Sequence, residues 1–151
     1  MANISTASGY AVFSAQNPET LKLLTQAADT MKDNVSYPTD FKWVDAHSNR
    51  ARTRQRVFFV GFGCWTFSNI IHALPAHIAD QDIPELTSEP WSILWDFSDM
   101  EPSEEFCGNF TLKVEHLAHT PVEESQVTAL EEEIYDRAQE GHSLLRYPDL
   151  Y

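Results

Sequence analysis

The residue types best able to do chemistry in this chain are its arginines and its carboxylates, and their spacing points to binding rather than to turnover. Arg50, Arg52, Arg54 and Arg56 recur at every second position, so an extended strand would place all four guanidinium forks on one face. Such a ladder suits bidentate recognition of a phosphate or an acidic ligand, and equally suits pairing with the protein's own acids. Asp96, Asp99, Glu101, Glu104 and Glu105 form an acidic hairpin, and Glu123, Glu124, Glu131, Glu132, Glu133 and Asp136 follow it. Spaced carboxylates can imitate the phosphates of a nucleic acid and occupy the basic groove of an enzyme that handles DNA or RNA. They can also do no more than keep the protein in solution, supported by i,i+4 pairs such as Glu133 with Arg137.

Hydrolytic, metal and phosphate chemistry lack the motifs they need. The acidic hairpin has no D-x-[DN]-x-[DN]-G spacing and is interrupted by Pro102, unlike a calcium loop. None of His47-Ser48-Asn49, His72-Ala73-Leu74, His116-Leu117-Ala118 and His119-Thr120-Pro121 is the His-x-Ser/Thr motif of a two-histidine phosphoesterase. The pairs His72/His77 and His116/His119 have no Cys-x-x-Cys or His-Glu-x-x-His beside them to complete a zinc site. Gly61-Phe62-Gly63 could open a phosphate-binding turn, but Thr66 stands where G-x-G-x-x-G has its last glycine, and no P-loop lysine follows. A G-x-S-x-G motif is absent, and Cys64 has no evident base in sequence. No catalytic residue, metal ligand or cofactor is assigned on this reading.

The elements that must position these groups follow from periodicity. Residues 8–15 are aromatic and β-branched and read as a first strand. Asn17 is a natural N-cap with Pro18 at the first helical position, and Leu21, Leu24, Ala28 and Met31 recur at spacings of three and four, which predicts a helix over 18–32. A second strand begins near Asp40, and the arginine ladder leads into a third through Val57-Phe58-Phe59-Val60. Thr66 or Ser68 caps a second helix carrying Ile70, Ile71, Leu74 and Ile78, which Pro75 should kink or divide. Trp91 to Phe97 and Phe106 to Leu117 read as two more strands around a hairpin loop over Ser98 to Glu105. Thr120 and Glu123 have capping-box spacing, and Val127, Leu130 and Ile134 mark an apolar stripe, so a third helix is expected to end near Gly141.

This order, β-α-β-β-α-β-β with an added C-terminal helix, predicts an α+β fold with a ferredoxin-like antiparallel sheet, covered by helices on one face and free to bind on the other. The block Val60-Gly61-Phe62-Gly63-Cys64-Trp65-Thr66-Phe67-Ser68-Asn69 followed by an acidic hairpin resembles small ferredoxin-like proteins of unknown function carried by phages and plasmids. That resemblance covers about half the chain and brings no catalytic residues with it. The 151 residues make one domain, with 121–151 as a helical extension. Hydrophobic residues at 42% and aromatics at 12% are too many for a disordered acidic chain. Cys64 and Cys107 are far apart and read as buried free thiols rather than a disulfide.

Charge then narrows the partners. The formal net charge is −13, yet residues 41–80 hold five bases against two acids, whereas residues 81–151 hold seventeen acids against three bases. That field attracts basic proteins and opposes direct nucleic-acid binding. The N-terminus has no basic region followed by a long apolar run, and no stretch is apolar for the ~18 residues of a membrane helix, so no membrane partner and cytoplasmic residence are expected. The leading expectation is an acidic binding or inhibitor protein of a mobile element, an anti-defence protein occupying the basic groove of a nucleic-acid-handling enzyme. The alternative is a small ferredoxin-like enzyme or sensor acting on a nucleotide-like ligand held near the arginine ladder. The three leucines and two tyrosines of the last ten residues leave a homodimer open.

Overall fold

A computed structural model describes residues 4–33, 39–64, 67–101 and 106–136. Strand β1 (Ile4–Ala15) buries Ala7, Ala11 and Phe13 on one side and turns Ser8, Tyr10 and Val12 to the other, the period-two pattern of a strand with a single core face. Helix α1 (Pro18–Asp29) starts where expected: the Asn17 side chain accepts from the Thr20 amide at 2.9 Å, and Leu21, Leu24, Ala27 and Ala28 are buried. A 3₁₀ turn over Thr30–Asp33 closes it and buries Met31. Strands β2 (Thr39–Ser48) and β3 (Arg54–Cys64) form a hairpin, and helices α2 (Phe67–Asp80) and α3 (Pro84–Ser88) lead into β4 (Trp91–Glu101), β5 (Phe106–His116) and β6 (Gln126–Asp136).

Among the described residues these six strands make one antiparallel sheet in the order β2-β3-β1-β4-β5-β6. The chain is therefore α+β. Helix α1 joins β1 to β2 across β3, and α2 joins β3 to β4 across β1, so both lie over the centre of the sheet. Their buried faces meet an aromatic cluster on the strands. The Trp95 ring lies 5.3 Å from Phe59, 6.1 Å from Phe67 of α2 and 6.2 Å from Phe13, each edge to face. Such pairs add roughly 0.5–1.5 kcal/mol each beyond the area they bury.

Pro75 sits inside α2 without dividing it. The lost amide and ring clash cost about 3 kcal/mol, and burial of Ile70, Ile71, Leu74, Pro75 and Ile78 against the sheet offsets this, each large side chain contributing ~1.5–3 kcal/mol.

Three expectations are corrected. The C-terminal helix is replaced over Gln126–Asp136 by strand β6, and the capping-box residues make only a 3₁₀ turn, Val122–Glu124; residues 137–151 lie outside the described residues. The apolar spacing misled because β6 is bulged. Thr111 faces Glu131 but Leu112 faces Ala129, so Leu130 is the extra residue, and a bulge turns a period of two into a spacing that mimics a helix. Leu130 and Ile134 are 57% and 60% exposed, so they form no core stripe.

The arginine ladder is half as long as its spacing suggests. Asn49 accepts from the amides of Thr53 (2.9 Å) and Arg54 (3.0 Å), and Arg52 takes a left-handed φ of 56°. The chain thus turns at Arg50 and Arg52, driven by the local hydrogen bonding at which asparagine excels. Arg54 and Arg56 alone alternate on β3.

Asp99 is no hairpin-loop residue either. The strand continues through it, its side chain is wholly buried, and its Oδ2 accepts from the Phe67 amide at 2.7 Å, which caps the start of α2. Burial pushes its carboxyl up to about 6, against the lowering effect of hydrogen bonds from the Phe67 amide, Ser5 and the Met100 amide. An unfolded aspartate titrates near ~3.9. The folded state therefore holds this proton more tightly, and the stability so gained is present below about pH 4 and lost as pH rises through about 6. Asp99→Asn, which keeps an acceptor for the amide, should gain about 3 kcal/mol relative to the wild type between roughly pH 4 and pH 7.5. Urea denaturation at the two pH values checks this, and parallel behaviour of the two proteins would refute it.

Candidate binding site on the open sheet face

The helices cover one face of the sheet, and the register of the strands builds the other. One cross-strand row runs Phe58, Tyr10, Asp96, Thr111, Glu131, and the next runs Val60, Ser8, Ser98, Asn109, Glu133. Together they line a concavity of about 550 Å³, walled by Tyr10, Phe58, Asp96, Thr111, Glu131 and Glu133 over Ser8, Ser98 and Asn109. On a flat sheet, strands ~4.8 Å apart would leave Phe58 and Glu131 about 19 Å from each other. A single concavity bounded by both means that the sheet twists and bends into a trough. Gly9 belongs to the same lining, and a Cβ there would stand 2.1 Å from the Asp96 carbonyl oxygen. Only glycine lets β1 and β4 approach so closely.

The polar groups in the trough are ordered. The Tyr10 hydroxyl donates to Asp96 Oδ2 at 3.0 Å, and the Ser98 hydroxyl donates to Asn109 Oδ1 at 2.5 Å. The hydrogen bond to Asp96 is the largest of the effects that hold the Tyr10 phenol above its usual range, followed by burial and the Asp96 charge, with Arg56 opposing. Tyr10 therefore stays a donor, and its bond keeps the carboxylate oriented. Tyr10 meets Phe58 edge to face at 6.3 Å, and the Arg56 guanidinium lies 5.3 Å above the Phe58 ring. At the bottom, Ser8 is 1% exposed and its Oγ has no hydrogen-bond partner among the described residues. A buried hydroxyl in that state costs roughly 1–3 kcal/mol.

Of the acids singled out in the sequence, the trough gathers Asp96, Glu131 and Glu133 and leaves the rest apart. Glu132 alternates to the opposite side of β6, beside Phe110 in register. Glu123 and Glu124 are exposed in the 3₁₀ turn packed beside α2. Glu101 and Asp136 end β4 and β6, each paired in register with Phe106, while Glu104 and Glu105 lie outside the described residues. Asp99 serves the core. Exposed Arg54 and Arg56 flank the trough on β3, and Arg50 and Arg52 stay in the turn; among the described residues none of the four forms an ion pair with a carboxylate. Ser8, Tyr10, Phe58, Ser98, Asn109 and Thr111 went unremarked as site residues, although alternation along the first strand already set Ser8 and Tyr10 apart from Ala7 and Ala11.

His72, His77 and His116 have structural partners. His116 is buried, stacked on Trp91 at 5.2 Å, with Nε2 3.0 Å from the Thr87 carbonyl and Nδ1 3.3 Å from Ser125 Oγ. His77 Nε2 lies 2.8 Å from Thr30 Oγ1, and burial holds its pKa down. Among the described residues no group of three or more His, Cys, Asp or Glu could hold a metal ion. Gly61 to Gly63 run within β3 rather than in a turn. Cys107 is buried and forms no disulfide among the described residues.

Ser8→Ala removes an unpartnered hydroxyl and leaves a side chain that fits, so the variant should be as stable as the wild type or more stable by about 1 kcal/mol. Urea denaturation measures it, and a loss above about 1 kcal/mol would mean that the hydroxyl is satisfied in the folded protein. No protein-family model, curated protein or solved structure matches this chain, so the trough and its chemistry carry the functional reading.

Proposed function

We propose that this chain is an acidic binding protein that docks a basic partner on the open face of its sheet, and that the partner is a nucleic-acid-handling enzyme whose basic groove it occupies. An inhibitor of host defence encoded by a mobile element has this character. The scaffold is a ferredoxin-like split β-α-β unit, a reading supported by the order β2-β3-β1-β4 with α1 and α2 as its two crossovers. Strands β5 and β6 extend it and bring Glu131 and Glu133 to the trough.

The observation that carries the reading is that Asp96, Glu131 and Glu133 line one concavity, whose lining among the described residues includes no basic side chain. Glu131 and Glu133 are ~6.8 Å apart along the strand, and Asp96 stands two strands, or ~9.6 Å, from Glu131. The first of these spacings is similar to that between successive phosphates along a nucleic-acid strand, and a groove that holds DNA or RNA would meet the carboxylates with the same lysines and arginines. A nucleotide-like ligand is the second reading, favoured by Arg54 and Arg56, which have no carboxylate partner among the described residues. Its phosphates would have to avoid the acidic trough beside them.

Capture from a lysate at ~0.1 M salt, followed by a wash at ~0.5 M, exploits the shortening of the Debye length. The expected result is a basic nucleic-acid enzyme held at the lower salt and shed at the higher one. Glu131→Gln with Glu133→Gln should lower its retention about tenfold, and Glu132→Gln, on the other face, should leave it unchanged. Equal retention by the double variant would remove the reading.

A further inference from the structure

The trough has the chemistry of a receptor for one particular group. Resting on the docking reading above, we propose that it takes the guanidinium of an arginine side chain presented by the partner. The acids alone would not say this, because exposed carboxylates are commonplace on a protein of charge −13. The floor adds an independent sign. Ser8 is 1% exposed, lines the concavity, and its hydroxyl has no partner among the described residues, so the fold holds a buried polar group that water or a ligand entering the trough can satisfy.

Matching donors to acceptors selects the occupant. An acceptor-rich site with carboxylates on two sides calls for a ligand with many N–H donors in a plane and a delocalised positive charge. Arginine offers five donors in a rigid fork, whereas lysine offers three on a compact, strongly hydrated ammonium. Glu131 and Glu133 come from one strand and Asp96 from another, so a guanidinium between them can engage carboxylates along two edges, and Ser8 lines the same concavity on the strand beside Asp96. The aromatic wall favours the same group. Phe58 already carries the Arg56 guanidinium 5.3 Å over its ring, and Tyr10 presents a second ring beside it; stacking of guanidinium on such faces contributes ~0.5–2 kcal/mol. Asp96 is held in place by the Tyr10 hydroxyl before any ligand arrives, which lowers the ordering cost of binding. At about 550 Å³ the concavity has room for an arginine side chain with its flanking peptide. An anionic base-and-phosphate ligand would face the carboxylates instead.

The test uses the full-length chain and three capped tripeptides, acetyl-Gly-X-Gly-amide with arginine, lysine or citrulline at X, together with guanosine monophosphate, each followed by NMR titration. Saturable binding of the arginine peptide is expected, several-fold weaker for lysine and at least tenfold weaker for citrulline, which keeps the shape but loses the charge. Glu131→Gln with Glu133→Gln should weaken the arginine peptide at least tenfold and Glu132→Gln should leave it unchanged. Ser8→Ala should weaken it several-fold while remaining as stable as the wild type, a combination that loss of folding cannot produce. No saturation by the arginine peptide at millimolar concentration, equal binding of citrulline, an unaffected double variant, or tighter binding of the nucleotide would each overturn the proposal. The two readings fail separately. If a partner is captured through Glu131 and Glu133 but the arginine peptide does not bind, docking stands and the guanidinium site falls; if the peptide binds and no basic partner depends on those residues, the reverse holds.

Discussion

The packing of Phe59, Trp95 and Phe97 against Phe67 is the interaction on which the rest of this structure depends. Phe67 opens α2, stacks on Phe59 at 5.2 Å and meets Phe97 at 5.6 Å, so the first turn of the helix is fastened to β3 and β4 at once. Two helices of this length can cover only the central strands, and they lie on one side. Among the described residues the other face of this six-stranded sheet is left without a covering helix. The open face is thus a consequence of how the aromatic residues are shared out, since large rings fill the inward positions of β1, β3 and β4 while serines and charged groups recur on the outward ones.

Two buried oxygen-bearing side chains on neighbouring strands show how differently the faces treat polarity. Asp99 points into the helix side and is tied to the amide that begins α2, so its desolvation is partly compensated by hydrogen bonds and serves to fix a helix end. Ser8 points to the open side and has no such compensation. A protein that needed only a stable sheet would have an alanine or valine there. Retaining the hydroxyl costs stability, and strain or unsatisfied polarity of this kind concentrates where a protein meets its ligand.

Much of the fold was legible in the sequence because local chemistry and tertiary packing agree in its first hundred residues. Asn17 and Pro18 announce α1, and the alternation around Val57 and Phe59 announces β3, in positions the structure keeps. The signals failed where they were ambiguous or where a side chain acts at a distance. Val127, Leu130 and Ile134 have a helix's spacing, but pairing with β5 and a one-residue bulge account for it as well. The arginines alternate through a turn that Asn49 imposes. Asp99 looked like one more member of an acidic loop, and its task at the end of α2 depends on Phe67, 32 residues away in sequence. The trough was hidden for the same reason. Its row from Phe58 through Tyr10 and Asp96 to Glu131 exists only once the strand order is known, since a period of two says which side a residue takes but not whose neighbour it is.

The order of strands also sorts the charge. Lys42, Arg54 and Arg56 are exposed on β2 and β3, whereas Asp96, Glu131 and Glu133 stand on β4 and β6, so the open face is positive at one end and negative at the other. Glu131, Glu132 and Glu133 lie on the strand that ends the sheet among the described residues, and successive charges there discourage pairing with a further strand. That accounts for all three equally, whereas the trough concerns only the two that point into it. An anionic polymer lying along the face would gain at the arginines and lose at the glutamates, with no net attraction. A basic groove gains at the glutamates and is repelled at the arginines, so it is drawn in one orientation only. The bipolar face therefore favours a specific docking direction, which uniform acidity would not supply.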